Sequence, residues 1–282
     1  MERKPVIGLV MKSLQAEFFQ VMKKGALEFA QKQNNFELIT VGTSTQTEID
    51  QQIQLIDSLI QQKVDALVIV PIDSKALVPV VAKAIKARIK VINIDIRLDP
   101  DLLRQNNVEL MFVGPDNETA AYMVGKELAQ RLRPSAKVIL IEGLKVAENA
   151  QQRKKGFLKA IEEHKLNLVA SESADWETDK AEKVFERLFA LHSDVEGVFC
   201  SNDAMALGVI RVLEKNGKSG KIPVVGFDND PSVQPLLKSG AMIATVDIFG
   251  SQMAVRGIEY ALKVLEGMEN KGVYYTEFKL IK

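Results

Sequence analysis

DALVIVPIDSKALVPVVAKAIKARIKVINID, residues 65–95, decides the fold. Residues 65–70 (DALVIV) and 90–95 (KVINID) are near-continuous apolar, β-branched runs. Strands buried on both faces require such runs. The stretch 74–88 between them reads as a helix. Strand, helix and strand within about 30 residues make a parallel unit with a right-handed crossover.

The same alternation extends outward. Upstream, strands are expected at 5–11 (PVIGLVM) and 36–41 (FELITV). In 18–33, Phe18, Val21, Met22, Ala26, Phe29 and Ala30 share one helical face; in 48–62, Ile49, Ile53, Ile56, Leu59 and Ile60 do so. Downstream, a strand at 110–113 (LMFV) closes this half. The pattern then restarts. Strands are expected at 136–142, 167–172, 196–200, 222–227 and 242–246, and helices at 118–132, 149–164, 178–192, 203–216, 231–239 and 251–267. About ten strands are many for one open sheet, so two α/β lobes of about five parallel strands each are the better reading. GPDNE (114–118) carries the turn residues of a linker. The helix at 251–267 needs a sheet face to cover and is expected to return to the first lobe. The expected boundaries are 1–114 plus about 248–276 for one lobe, and 115–247 plus about 277–282 for the other. Two or three chain crossings between lobes would form a hinge.

Composition narrows the function. Of 282 residues, 37 are Lys or Arg and 37 Asp or Glu, so the formal net charge is zero. A nucleic-acid binder would carry a basic surplus. The single cysteine, Cys200, can form neither an intrachain disulfide nor, alone, a zinc site. His164 and His192 lie in polar, helix-like stretches and read as surface residues. No apolar run approaches the ~20 residues of a membrane span. The first strand is followed by MKSLQAEFF, not by a glycine-rich phosphate loop, so neither NAD nor ATP is expected. No nucleophile elbow or calcium loop is present, and neither an enzyme nor a cofactor nor a metal is expected.

In open α/β sheets, ligands bind beyond the carboxyl ends of the strands. Those ends deliver Lys12, Asp95 and Arg97 in the first half, with Phe18 and Phe19 close behind Lys12. In the second half they deliver Asn149, Arg153, Trp176, Asn202, Asp228 and Asp247. Carboxylates accept hydrogen bonds from paired hydroxyls; Asn, Lys and Arg donate to hydroxyl and ring oxygens; aromatic rings cover C–H faces. Lys12 and Arg153 balance Asp95 and Asp228, which favours a neutral ligand. Structural roles compete. Asp73 and Asp203 read as helix caps rather than ligands. Asp228-Asn229-Asp230-Pro231 equally fits a turn before a helix with Pro at its first position. Trp176 equally fits core packing. The convergence of these residues on one edge carries the reading.

The segments LVMKSLQAEFF (9–19), VINIDIRLD (91–99), SADWETDKA (173–181), FCSNDAMALG (199–208) and VVGFDNDP (224–231), in this order, resemble the periplasmic sugar-binding proteins of ABC transporters, of the ribose- and allose-binding type. The resemblance covers essentially the whole chain. It implies a periplasmic binding protein of type 1: two Rossmann-like lobes joined by three crossings, a small neutral sugar or sugar alcohol in the cleft, and closure on binding. It also implies a permease partner, a periplasmic or extracytoplasmic location with the export segment absent from this sequence, and a monomer. Lys12, Phe19, Asp95, Asn149, Arg153, Trp176, Asn202 and Asp228 match the positions that resemble ligand residues. Three departures stand out. Val70 replaces an asparagine of the ribose type. Ile248, preceded by Asp247, replaces a glutamine. Ala16-Glu17 replaces Asn-Pro before the aromatic pair. Ribose itself is therefore not assigned. The sugar-sensing core of a lactose-repressor-type regulator and the sensor domain of a receptor are the alternatives.

Overall fold

The computed structural model describes residues 3–282; residue 1, where the first lobe is expected to begin, lies outside the described residues. The chain forms two compact units. In chain order, the first opens with β1 (Val6–Met11), α1 (Glu17–Gln33), β2 (Glu37–Gly42), α2 (Ile49–Gln61), β3 (Ala66–Ile69), α3 (Val78–Lys86), β4 (Lys90–Ile94), α4 (Pro100–Gln105) and β5 (Phe112–Pro115). The second follows with α5 (Asn117–Ala129), β6 (Lys137–Glu142), α6 (Glu148–Glu163), β7 (Asn167–Ser173), α7 (Thr178–Leu191), β8 (Gly197–Cys200), α8 (Asp203–Lys215), β9 (Val224–Val225), α9 (Gln234–Ser239) and β10 (Thr245–Asp247). The chain then returns to the first unit with α10 (Gly250–Leu265) and β11 (Val273–Thr276), and ends in the second with β12 (Lys279–Ile281). Residues Val146–Glu148 also group with the first unit, where the Ser74 N–H donates to the Val146 carbonyl (3.1 Å).

The first unit's sheet runs β2-β1-β3-β4-β5-β11, with every neighbouring pair parallel. Its core strands read as the continuous apolar runs did: all four residues of β3 are buried. A core cluster joins Val10, Leu67, Ile69 and Val91 of the sheet to Ile56 and Leu59 of α2 and Val78 and Val81 of α3. α10 covers the sheet with Gly257 against Val68 and Ile94, and its Ser251 hydroxyl donates to the Val21 carbonyl of α1 (3.0 Å).

The second unit's sheet runs β7-β6-β8-β9, again all parallel, with a parallel bridge from Val225 to Ala244 beside it. β12 pairs antiparallel with β10, in the register Thr245↔Ile281 and Asp247↔Lys279. The expected parallel sheets form, and β12 adds one antiparallel partner beside them. An antiparallel partner needs no crossover helix, so a few residues after β11 suffice to add it.

Local chemistry explains the other shifts. The expected helix at 74–88 contracts to α3 because Asp73 Oδ1 accepts from the N–H groups of Lys75 and Ala76 (2.7 and 2.8 Å), holding a turn there. Pro79, which has no N–H to give, then occupies the first turn of α3. The expected helix at 231–239 divides into a 3-10 turn (Pro231–Val233) and α9. α4 was not anticipated, although its signal is present: Asp99 caps it, accepting from the Asp101 and Leu102 N–H groups (3.0 and 2.9 Å), and Pro100 opens it.

Candidate ligand-binding site

Each sheet reverses its strand order at one point, between β1 and β3 in the first unit and between β6 and β8 in the second. Crevices at such points are where α/β sheets bind ligands.

In the first unit, β1 ends at Met11 and delivers Lys12, whose side chain is buried. Its Nζ lies 5.9 Å from the centroid of the Phe19 ring, within cation–π range. Phe18 meets Phe19 edge-on, with centroids 5.1 Å apart. β4 delivers Asp95, buried and in the left-handed region at φ 63°. Asn93 fixes that turn: its Nδ2 donates to the Ile96 carbonyl and its Oδ1 accepts from the Leu98 N–H, both at 2.8 Å. The Asp95 N–H donates to the Val113 carbonyl (3.0 Å). Because β3 lies between β1 and β4, Lys12 and Asp95 leave the sheet two strand spacings apart, about 10 Å. Arg97 stands half-buried behind, 5.9 Å from the Phe112 ring centroid.

In the second unit, Arg153 of α6 organises the site. It is 2% exposed. Its Nε donates to Asn117 Oδ1 (2.9 Å), and one terminal nitrogen donates to the Ser201 carbonyl (2.8 Å) and to Asp228 Oδ1 (3.1 Å). Its guanidinium lies 3.7 Å from the Phe227 ring centroid and 5.4 Å from that of Trp176. Breaking a buried pair of this kind costs about 3–5 kcal/mol, because the remaining charge is left without compensation. Asn149 precedes Arg153 by one helical turn and shares its face. Asn149 Oδ1 and Ser201 Oγ are buried and make no hydrogen bond within the protein. Such atoms cost about 1–3 kcal/mol each unless a partner arrives, and a ligand hydroxyl is a suitable one.

Trp176 is buried, with its indole laid directly on Gly143 at the end of β6. A side chain at 143 would occupy the ring's place. The neighbouring Asp175 is neutralised locally: burial works to raise its carboxyl, but Lys180 and the Ser173 hydroxyl hold it below the usual carboxylate range. Among the described residues, twelve non-glycine residues have positive φ, and Asp95, Asp175, Trp176, Asp228, Asn229 and Phe249 follow strand ends. Strain of this kind gathers where the chain presents side chains to a ligand.

The cap of α8 falls one residue earlier than expected. Asn202, expected as a ligand residue, is the N-cap of α8: its Oδ1 accepts from the Met205 N–H (2.9 Å), while its Nδ2 faces the Trp176 carbonyl (3.4 Å). Asp203, expected as the cap, is instead fully buried and ties the strand ends together. It accepts from the Thr245 hydroxyl (2.8 Å) and the Asp230 N–H (2.9 Å), against the bare backbone of Gly226. Burial pushes its carboxyl well above the ordinary range, and the charge of Asp228 adds to the push. Asp247 accepts from Asn229 Nδ2 (2.9 Å), and Asn229 Oδ1 accepts from Gln234 (2.6 Å), so Asp247 supports the turn after Asp228.

Phe227 and Asn117 hold Arg153 and were not anticipated. Phe227 stands beside Asp228 in VVGFDNDP, and Asn117 lies within the stretch read as a linker. His164 is half-buried, its Nδ1 3.0 Å from the Ala160 carbonyl, and His192 ends α7; neither is placed with these residues. Burial raises the Cys200 thiol, as does the charge of Asp203, which leaves it protonated. Among the described residues, no group of three or more His, Cys, Asp or Glu is arranged to hold a metal ion, and no helix is long and apolar enough to cross a membrane.

Two α/β units of this topology, with buried charge and aromatic rings at their strand ends, define a type 1 periplasmic binding protein fold. The family model described as "Periplasmic binding protein domain" matches residues 7–269, and the chain belongs to this family. It is 42% identical to the D-ribose/D-allose-binding protein of Pseudomonas aeruginosa, over 99% of this chain and 89% of that relative. Among solved structures, it is similar to an ABC transporter solute-binding protein from Burkholderia multivorans (TM-score 0.97, 41% identity, 100% of both chains). It is also similar to a periplasmic solute-binding protein from Actinobacillus succinogenes with bound D-allose (TM-score 0.91, 36% identity, 98% of this chain and 97% of that one). These relatives are transport proteins, not enzymes.

Proposed function

We propose that this protein is the solute-binding component of a sugar ABC transporter and captures a small neutral monosaccharide or sugar alcohol. One observation carries the reading. Each unit sets a cation and a carboxylate together with aromatic rings at its strand ends: Lys12 and Asp95 with Phe19, and the Arg153–Asp228 pair with Phe227 and Trp176. Charges balanced in this way match a polyol. An acidic sugar or a phosphate would meet Asp95 and Asp228 and be repelled. The relatives named for ribose and allose, and the solved neighbour holding D-allose, support the sugar class.

Lys12, Phe19, Asp95, Asn149, Arg153, Trp176, Asn202 and Asp228 are the proposed ligand contacts. Asn202 offers Nδ2 rather than its capping oxygen. Phe18, Arg97 and Asp247 act as supports. A periplasmic location, a permease partner and a monomeric state belong to the same proposal. A thermal-shift screen tests it: pentoses, hexoses, polyols and their acidic counterparts are added singly to the purified protein. The proposal expects stabilisation by one or a few neutral sugars. Stabilisation mainly by uronic acids or sugar phosphates would overturn it.

A further inference from the structure

The sequence pattern holds an anomaly in α2. Ile49, Ile53, Ile56, Leu59 and Ile60 define its apolar face, yet Gln52 occupies the same stripe, three residues after Ile49 and four before Ile56. Gln52 is fully buried. A buried amide is expensive unless its donors and acceptor are used, and here they are. Gln52 Nε2 donates to the Met11 carbonyl (3.1 Å) and to the Val70 carbonyl (2.8 Å), and its Oε1 accepts from the Ile72 N–H (2.8 Å).

Those three groups are the ends of β1 and β3. Met11 is the last residue of β1, and its carbonyl belongs to the peptide plane that carries the Lys12 N–H. Val70 and Ile72 bracket the chain as it leaves β3. These are the two strands between which the sheet order reverses. At this point the parallel ladder has ended, and one side chain takes over its work. We propose that Gln52 is a positioning residue for ligand binding: it joins the ends of β1 and β3 and so orients Lys12. This rests on the sugar-binding reading above. Gln52 does not touch the ligand; it fixes the peptide plane from which a ligand residue projects.

Replacement by glutamate supplies a readout that a purely structural role would not move. When protonated, the carboxyl introduced by Gln52→Glu keeps one donor for a strand-end carbonyl and one acceptor for the Ile72 N–H. When ionised, it is acceptor-only and faces two carbonyl oxygens. Burial raises its titration above the ordinary carboxylate range. Lys12 and Asp73 are the charged residues adjoining the segments it holds, and both are present in the wild type as controls.

The experiment measures the affinity for D-allose and D-ribose, by calorimetry, and the melting temperature from pH 5 to pH 8 for the wild type and for Gln52→Glu and Gln52→Leu. The inference expects Gln52→Glu to bind within about threefold of the wild type at pH 5 and at least about tenfold more weakly at pH 8, one hydrogen bond's worth. Gln52→Leu, if it folds, should be weak at every pH. A melting temperature that follows pH while the affinity ratio stays flat would show a structural role only and overturn the inference, as would no pH dependence in either. A wild type that binds neither sugar nor any neutral relative would count against the sugar-binding reading itself, and with it the inference. A wild type that binds while Gln52→Glu matches it throughout counts against the inference alone.

Discussion

Gly143→Ala tests whether Trp176 is held in one pose or merely packs where it can. A methyl group at 143 would lie 2.1–2.4 Å from three carbons of the indole ring. Ordinary contact begins near 3.4 Å, so the ring or the strand must give way by about 1.3 Å. The strand end cannot easily move: the Ala174 N–H donates to the Glu142 carbonyl (3.0 Å), and the Ser173 hydroxyl donates to the Gly143 carbonyl itself (2.7 Å). The turn can move, because Asp175 and Trp176 both sit at positive φ, a conformation disfavoured by roughly 1–2 kcal/mol per residue. The ring should therefore swing outward as that turn relaxes. Overpacking of this kind costs about 1–3 kcal/mol, a melting-point loss of roughly 2–12 °C in a chain of this size. Trp176 is the only tryptophan, so its emission reports the displacement without interference. Emission should shift to longer wavelength as the ring meets water, and affinity for the neutral sugar that the wild type binds should fall about tenfold or more, the equivalent of about 1.4 kcal/mol. An unshifted spectrum with wild-type affinity would refute the reasoning.

Two further outcomes are expected. Arg153→Met keeps a long apolar side chain but removes the bonds to Asn117, Ser201 and Asp228; urea unfolding should show a loss of about 3–5 kcal/mol, and a loss below about 1 kcal/mol would mean that the pair is not the unit's organiser. Asp203 has a folded-state pKa raised above its unfolded one, so its stabilising contribution is full below the unfolded value and is lost as pH rises through the folded value. Asp203→Asn lacks that titration, so melting temperatures from pH 4 to pH 8 should show the variant gaining on the wild type as pH rises; a constant difference would contradict the assignment.

The fold's plan was legible because parallel strands covered on both faces must be apolar along their length. β3 and β4, inside DALVIV and KVINID, are such strands. β11 escaped notice for the opposite reason: Val273, Tyr274 and Tyr275 lie exposed at the sheet's edge, with no buried face to impose a pattern. β12 is a three-residue antiparallel addition, too short to carry a period. The strand expected at 222–227 shrinks to Val224–Val225 because Gly226 must let Asp203 approach and Asp228 turns to φ 110°.

At the site, residue types were legible and their roles were not. Strand ends pointed to Lys12, Asp95, Arg153, Trp176 and Asp228. Whether Asn202 or Asp203 caps α8 depends on which side chain turns back to the Met205 N–H, and adjacent residues of similar capping strength cannot be separated by spacing alone. Gln52 was not singled out in the sequence, because its partners, Met11 and Val70, lie 41 and 18 residues away.

The central claim is that balanced charges at the strand ends of both units recognise a neutral sugar. Calorimetric titration of the neutral sugars that the thermal-shift screen selects into the wild type, Asp95→Ala and Asp228→Ala measures it most directly. The account predicts saturable binding of at least one sugar by the wild type and no measurable binding by either variant, with both variants still folded by circular dichroism. Wild-type affinity in either folded variant would contradict it.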